Sequence, residues 1–161
     1  MRESLNLQAL LPLLEEALKN GSTFRFFPNG TSMLPMLEAG RDEVVLGAVD
    51  GVSVGDVFFY RRENGQYVLH RLVDLPKNGT LTFAGDGRWQ GLEFGVRRDQ
   101  LVAKLVAYYK DGQARSLDDP DYRAYVRERV GRFPFYRKNE KIYKALRALR
   151  RTVFPKKRKS N

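Results

Sequence analysis

Val57-Phe58-Phe59-Tyr60-Arg61-Arg62-Glu63-Asn64-Gly65-Gln66-Tyr67-Val68-Leu69-His70-Arg71-Leu72-Val73-Asp74 is the stretch that decides the fold. Two runs rich in β-branched and aromatic residues flank Glu63-Asn64-Gly65, a turn that can take positive φ. This reads as an antiparallel hairpin of strands 57–61 and 67–74. Similar short runs stand on either side, at 23–28, 43–46, 80–84 and 101–109. Turn pairs separate the runs: Asp50-Gly51, Asn78-Gly79, Asp86-Gly87 and Asp111-Gly112. Short strands at this spacing predict a mainly β protein, a small coiled antiparallel sheet or partial barrel. No βαβ rhythm and no internal repeat is visible.

Helices are expected at both ends. Leu7, Leu10, Leu11, Leu14, Ala17 and Leu18 fall on one face of an amphipathic helix over 5–19, stopped by Asn20-Gly21. Pro12 places the regular part of that helix nearer to itself, where a proline is tolerated in the first turn. Asp119-Pro120 opens a second helix, with Tyr122, Tyr125, Val126 and Val130 at helical spacing. A third, over 137–152, carries apolar residues on one side and Lys/Arg on the other. The chain thus divides into an N-terminal helix (1–22), a β-rich core (23–112) and a basic helical extension (119–161).

Charge follows that division. Residues 121–161 hold 15 Lys+Arg against 3 Asp+Glu, or +12; residues 1–120 hold the remaining 14 against 16, or −2. An anionic partner is therefore expected for the extension, not for the core. Its 137–159 segment could lie on an anionic membrane surface, bind phosphates of nucleic acid, or pack its apolar side on the core. No helix-turn-helix or base-stacking motif favours nucleic acid. The absence of cysteine excludes disulfides and thiol catalysis, and one histidine without cysteine speaks against a zinc site. No cofactor is implied. No apolar run is long enough to span a bilayer, and the expected location is cytoplasmic, soluble or peripheral on the inner face of the membrane.

Upstream of the hairpin, Asn29-Gly30-Thr31-Ser32-Met33-Leu34-Pro35-Met36-Leu37 holds a serine on a tight connection, with a turn pair before it and a proline after it. A serine hydroxyl needs a base to become a nucleophile, and His70 is the only histidine in the chain. Taken singly, such a serine is ordinarily a turn residue and such a histidine ordinarily structural.

Four segments in order change that reading: Gly30-Thr31-Ser32-Met33-Leu34-Pro35, Gly55-Asp56-Val57-Phe58-Phe59-Tyr60, Leu69-His70-Arg71-Leu72-Val73 and Gly85-Asp86-Gly87. Over roughly residues 23–110 they resemble the signal peptidase family and its relatives, the self-cleaving SOS-response repressors. Bacterial signal peptidases and SOS repressors use lysine as base. His70-Arg71 followed by Gly85-Asp86 resembles the endoplasmic-reticulum-type branch, which has histidine. Gly40-Arg41-Asp42, Tyr67-Val68-Leu69-His70 and the basic tail resemble the compact bacterial members without a membrane anchor.

The resemblance implies a serine endopeptidase that cleaves a leader, a precursor or its own peptide. Ser32 would attack the carbonyl, neutral His70 would take its proton, and Asp86 would orient the imidazole. The Ser32 N–H would serve the oxyanion. Substrate would lie extended beside strand 23–28, with Phe26, Phe27, Gly30, Thr31, Met33 and Pro35 as substrate-binding residues. Gly30 stands where lysine-type relatives often have a second serine, so that oxyanion donor is missing. Asp42 and Asp56 compete with Asp86 for the third role, Asp56 reading more readily as a turn residue. A catalytically silent peptide-binding or assembly module of the same fold is the alternative. An SOS-type regulator is weakened by His70 and by the short segment before the first strand.

Overall fold

The computed structural model describes residues 7–87 and 92–134. It is mainly β: eight antiparallel strands form one open sheet, with a helix before it and a helix after it. The N-terminal helix, α1 (Leu7–Lys19), runs straight through Pro12, so it does not start near that residue as expected. Pro12 lies on the exposed side of α1, where its ring meets solvent, while Leu14 is buried in the core and Leu11 and Leu18 pack beside it. The helix ends where the sequence said: Gly21 takes φ +70°, and the Ser22 N–H returns to Ala17 O at 2.9 Å.

The strands are β1 (Phe24–Phe26), β2 (Glu43–Gly47), β3 (Val57–Arg61), β4 (Tyr67–Asp74), β5 (Leu81–Ala84), β6 (Glu93–Val96), β7 (Leu101–Lys110) and β8 (Gln113–Arg115). Their order in the sheet is β1-β2-β7-β3-β4-β5-β6, with β8 folded back on β7. The β3–β4 hairpin closes through the 62–66 turn: Arg62 N–H donates to Gln66 O, Gln66 N–H to Asn64 Oδ1, and Gly65 has φ +81°. Asp111 and Gly112 both have positive φ, the geometry a two-residue hairpin needs, and they create β8, which the sequence reading omitted. Strand β6 was also omitted. Its Gly95 sits at φ +75° and its ladder to β5 is irregular, so it carries no alternating pattern.

Register offsets between β2 and β7, β3 and β7, β4 and β5, and β5 and β6 increase local twist and coil the sheet. Both faces of its centre are therefore covered. On one face, Val57, Phe59, Leu69 and Leu105 pack with Leu14 of α1 and with Met33, Met36 and Leu37 of the serine segment. On the other, Phe58, Tyr60, Leu72, Leu81, Phe83 and Val96 form a second cluster. The closing helix α2 (Pro120–Gly131) is capped by Asp119, whose carboxylate accepts the Asp121 N–H at 2.9 Å. The helix expected at 137–152 and the 137–159 membrane segment lie outside the described residues. Among the described residues no helix is long and apolar enough to cross a membrane.

Candidate active site

Ser32 lies in a turn between β1 and β2, half-buried between exposed Thr31 and buried Met33. Met33, Met36 and Leu37 anchor this turn in the core, and the Leu37 N–H donates to Met33 O at 3.0 Å. Gly30 has φ +94°, which is why a glycine opens the turn. The Leu34–Pro35 peptide is cis. From the turn after β5, the Gly87 N–H donates to Ser32 O at 3.0 Å. A Cβ on Gly87 would come within 3.6–3.7 Å of the carbonyl oxygens of Thr31, Ser32 and Leu34, so the 85–87 turn is pressed against the serine turn.

A mainly apolar pocket of about 160 Å³ opens beside Ser32. Of the residues expected to bind substrate, Phe26, Phe27, Gly30 and Met33 line this pocket, together with Leu10 of α1 and Phe59, Tyr67 and Leu69 of the central hairpin. Thr31 and Pro35 do not line it. The Thr31 carbonyl accepts the Leu34 N–H, and the Pro35 carbonyl accepts Lys110 Nζ at 2.9 Å. At about 30 Å³ per water, this volume suits one or two small apolar side chains.

His70 is 2 % exposed, in the middle of β4. Because Phe58 is its cross-strand partner, the imidazole belongs to the face that carries Phe58, Tyr60 and Leu72, while Leu69 points into the pocket. Its Nδ1 is 3.3 Å from Tyr60 Oη and 3.5 Å from Glu93 Oε1. Glu93 is gripped by Arg62, whose Nε lies 3.0 and 2.9 Å from its two oxygens and whose Nη2 also bonds Oε1. Burial alone would raise the Glu93 carboxyl, but hydrogen bonds from His70 and Arg62 outweigh it and hold the group at about 2. Burial, reinforced by the Glu93 charge, pushes the Tyr60 hydroxyl well above the usual tyrosine range, so it stays protonated.

Asp86 is elsewhere. Its Oδ1 and Oδ2 accept from Arg71 Nε and Nη2 at 2.8 and 2.7 Å, and Oδ2 also accepts Tyr125 O–H at 2.9 Å. The third-member role expected of Asp86 is therefore corrected. Its carboxylate is saturated by Arg71 and Tyr125, and the carboxylate facing His70 is that of Glu93. Asp42 is wholly buried and caps backbone: it accepts the N–H groups of Glu38 and Asp111 at 2.8 and 3.2 Å, and Arg41 at 2.8 Å. Asp56 accepts the Ser53 N–H in a turn and pairs with Lys104.

Glu93 escaped the sequence reading, because only the register through β5 brings it to His70. It is the only carboxylate between Asp86 and Asp99. The structure does not bring Ser32 and His70 together: among the described residues no hydrogen bond joins them, and the imidazole lies on the face of β4 opposite the pocket that Ser32 lines. Leu69, which precedes His70, is the side chain that shares the pocket with Ser32. No group of three or more His, Asp or Glu side chains converges for a metal ion among the described residues. Comparison with family models, curated proteins and solved structures gives no match to this chain.

Proposed function

We propose that this protein is a serine endopeptidase of the signal-peptidase type, using Ser32 as nucleophile and His70 as general base. The observation that carries the reading is the stiff serine turn that lines an apolar pocket, with the buried Tyr60–His70–Glu93 group on the opposite face of the same sheet. With Nδ1–H directed at ionised Glu93, Nε2 is the imidazole nitrogen left to take a proton. Glu93 then fixes the tautomer and stabilises the imidazolium that forms, and Arg62 keeps Glu93 charged. With Nδ1 protonated, Tyr60 Oη is a second acceptor for that N–H and directs its own proton to Glu93.

Ser32 Oγ would add to the acyl carbon as its proton passes to His70 Nε2, which returns that proton to the departing amine. Water then hydrolyses the acyl-enzyme by the same steps. The Ser32 N–H, which makes no hydrogen bond among the described residues, serves as an oxyanion donor. An extended peptide can pair with the outer edge of β1, the end strand of the sheet, placing a small apolar side chain in the pocket. Leader, precursor or self-cleavage all fit this chemistry.

The silent-module reading draws on one observation, that the imidazole faces away from the pocket that Ser32 lines and shares no hydrogen bond with Ser32. The peptidase reading therefore requires His70 to be brought to Ser32 when substrate binds. Labelling with a fluorophosphonate separates the two readings. An active Ser/His site gives one adduct on Ser32, absent in His70→Ala. A silent module gives none.

A further inference from the structure

Helix α2 has no buried residue, yet it meets the two buried ions that border the candidate site. A helix that merely covered apolar surface would present apolar side chains to it. Instead α2 aims Tyr122, Tyr125 and Arg129 inward, spaced three and four residues apart on one face. Arg71, wholly buried and next to His70, donates to Asp86 and also to Gly55 O at 2.7 Å, Met36 Sδ at 3.2 Å and Tyr122 Oη at 3.2 Å. Asp86 accepts Tyr125 O–H on its carboxylate and Arg129 Nη1 on its backbone carbonyl, at 2.9 and 3.2 Å. The next residue is Gly87, whose N–H holds Ser32 O. The helix is seated closely: a Cβ on Gly55 would stand 2.8 Å from Val126 Cγ1.

We propose that α2 is a clasp that sets the serine turn against the histidine strand, with Tyr125 and Arg129 as positioning residues. The proposal rests on the peptidase reading. Its physical basis is that one ion pair touches both halves. Arg71 is covalently next to His70 and bonded to Met36 in the serine segment, while Asp86 leads directly to the N–H that holds Ser32. Tyr125 and Arg129 fix Asp86 from outside the sheet, so loosening them frees the 85–87 turn and with it Ser32. The hydrogen bonds around His70 involve Tyr60 and Glu93, neither of which α2 contacts through these bonds.

Full-length Tyr125→Phe and Arg129→Gln proteins test this, with Arg123→Ala, an α2 change on the exposed side, as control. Amide exchange at Gly87 should quicken about tenfold or more in the two variants, and peptide cleavage should show kcat lower by a similar factor with KM little changed. The pH midpoint of kcat should not move, because Tyr60, His70 and Glu93 are untouched. Unchanged exchange at Gly87 overturns the clasp. So does faster exchange with unchanged kcat, or a lowered Tm with neither effect. If the wild-type protein cleaves no peptide, the peptidase reading fails by itself, and the Gly87 exchange rate still decides whether α2 holds the serine turn.

Discussion

His70 Nδ1 lies 3.5 Å from Glu93 Oε1, although β5 separates their strands in the sheet. The register explains the reach. Leu72 is opposite Phe83, Phe83 is opposite Glu93, and His70 is two residues from Leu72 on the same face. The gap between them is closed from β3, whose Tyr60 stacks on Phe83 with ring centroids 4.4 Å apart and bonds Nδ1.

Glu93 and Asp86 should separate cleanly by mutation. Glu93→Gln removes the anion beside His70 and should lower kcat by about 10²–10⁴-fold while leaving a folded protein. Asp86→Asn leaves the Arg71 guanidinium buried without its counter-ion, and should cost about 3–5 kcal/mol of stability. Kinetics beside urea unfolding of both variants checks the pair.

Acid should unfold the protein through its carboxylates. Glu93 is held at about 2 against an ordinary 4.5, and Asp42 at about 2 against 3.8, chiefly by its bond from Arg41. Both groups are depressed in the folded state, so the unfolded chain binds protons first as pH falls. Their stabilisation is complete above pH 4.5 and is lost between there and pH 2. For Glu93 the loss should be on the order of 2–3 kcal/mol. Glu93→Gln should flatten that part of a plot of urea midpoint against pH.

Asp42 should prove structural. Asp42→Ala strands the N–H groups of Glu38 and Asp111 and should cost about 2–4 kcal/mol, with kcat of the folded protein unchanged. Thermal melts beside single-turnover rates on the remaining folded protein check this.

Gly55 should resist substitution for two reasons at once. Its φ is +103°, and an added Cβ would meet Val126 of α2 at 2.8 Å. Gly55→Ala should therefore lose about 1–3 kcal/mol and loosen the helix, readable as faster amide exchange across α2.

Much of this was legible in the sequence, for identifiable reasons. Strands 57–61 and 67–74 were readable to the residue because aromatic and β-branched runs flank a strong turn. Phe26, Phe27, Gly30 and Met33 could be placed at the pocket because they neighbour Ser32 in the chain. The choice of Glu93 over Asp86 was not readable, because it depends on a cross-sheet register that passes through β5 and an irregular β6. Asp86 follows a recognisable Gly-Asp signature, but Arg71, adjacent to His70, claims both of its oxygens. Leu10 and α2 were missed as parts of the site for the same reason: they arrive there by tertiary packing alone.

Intact-mass spectrometry tests the central claim most directly. Wild-type, Ser32→Ala and His70→Ala proteins are each incubated with a library of extended peptides bearing small apolar residues. The account predicts cleavage by the wild type, with a transient acyl adduct on Ser32, and none by either variant. Cleavage that persists in Ser32→Ala, or no cleavage and no adduct from the wild type, would contradict it.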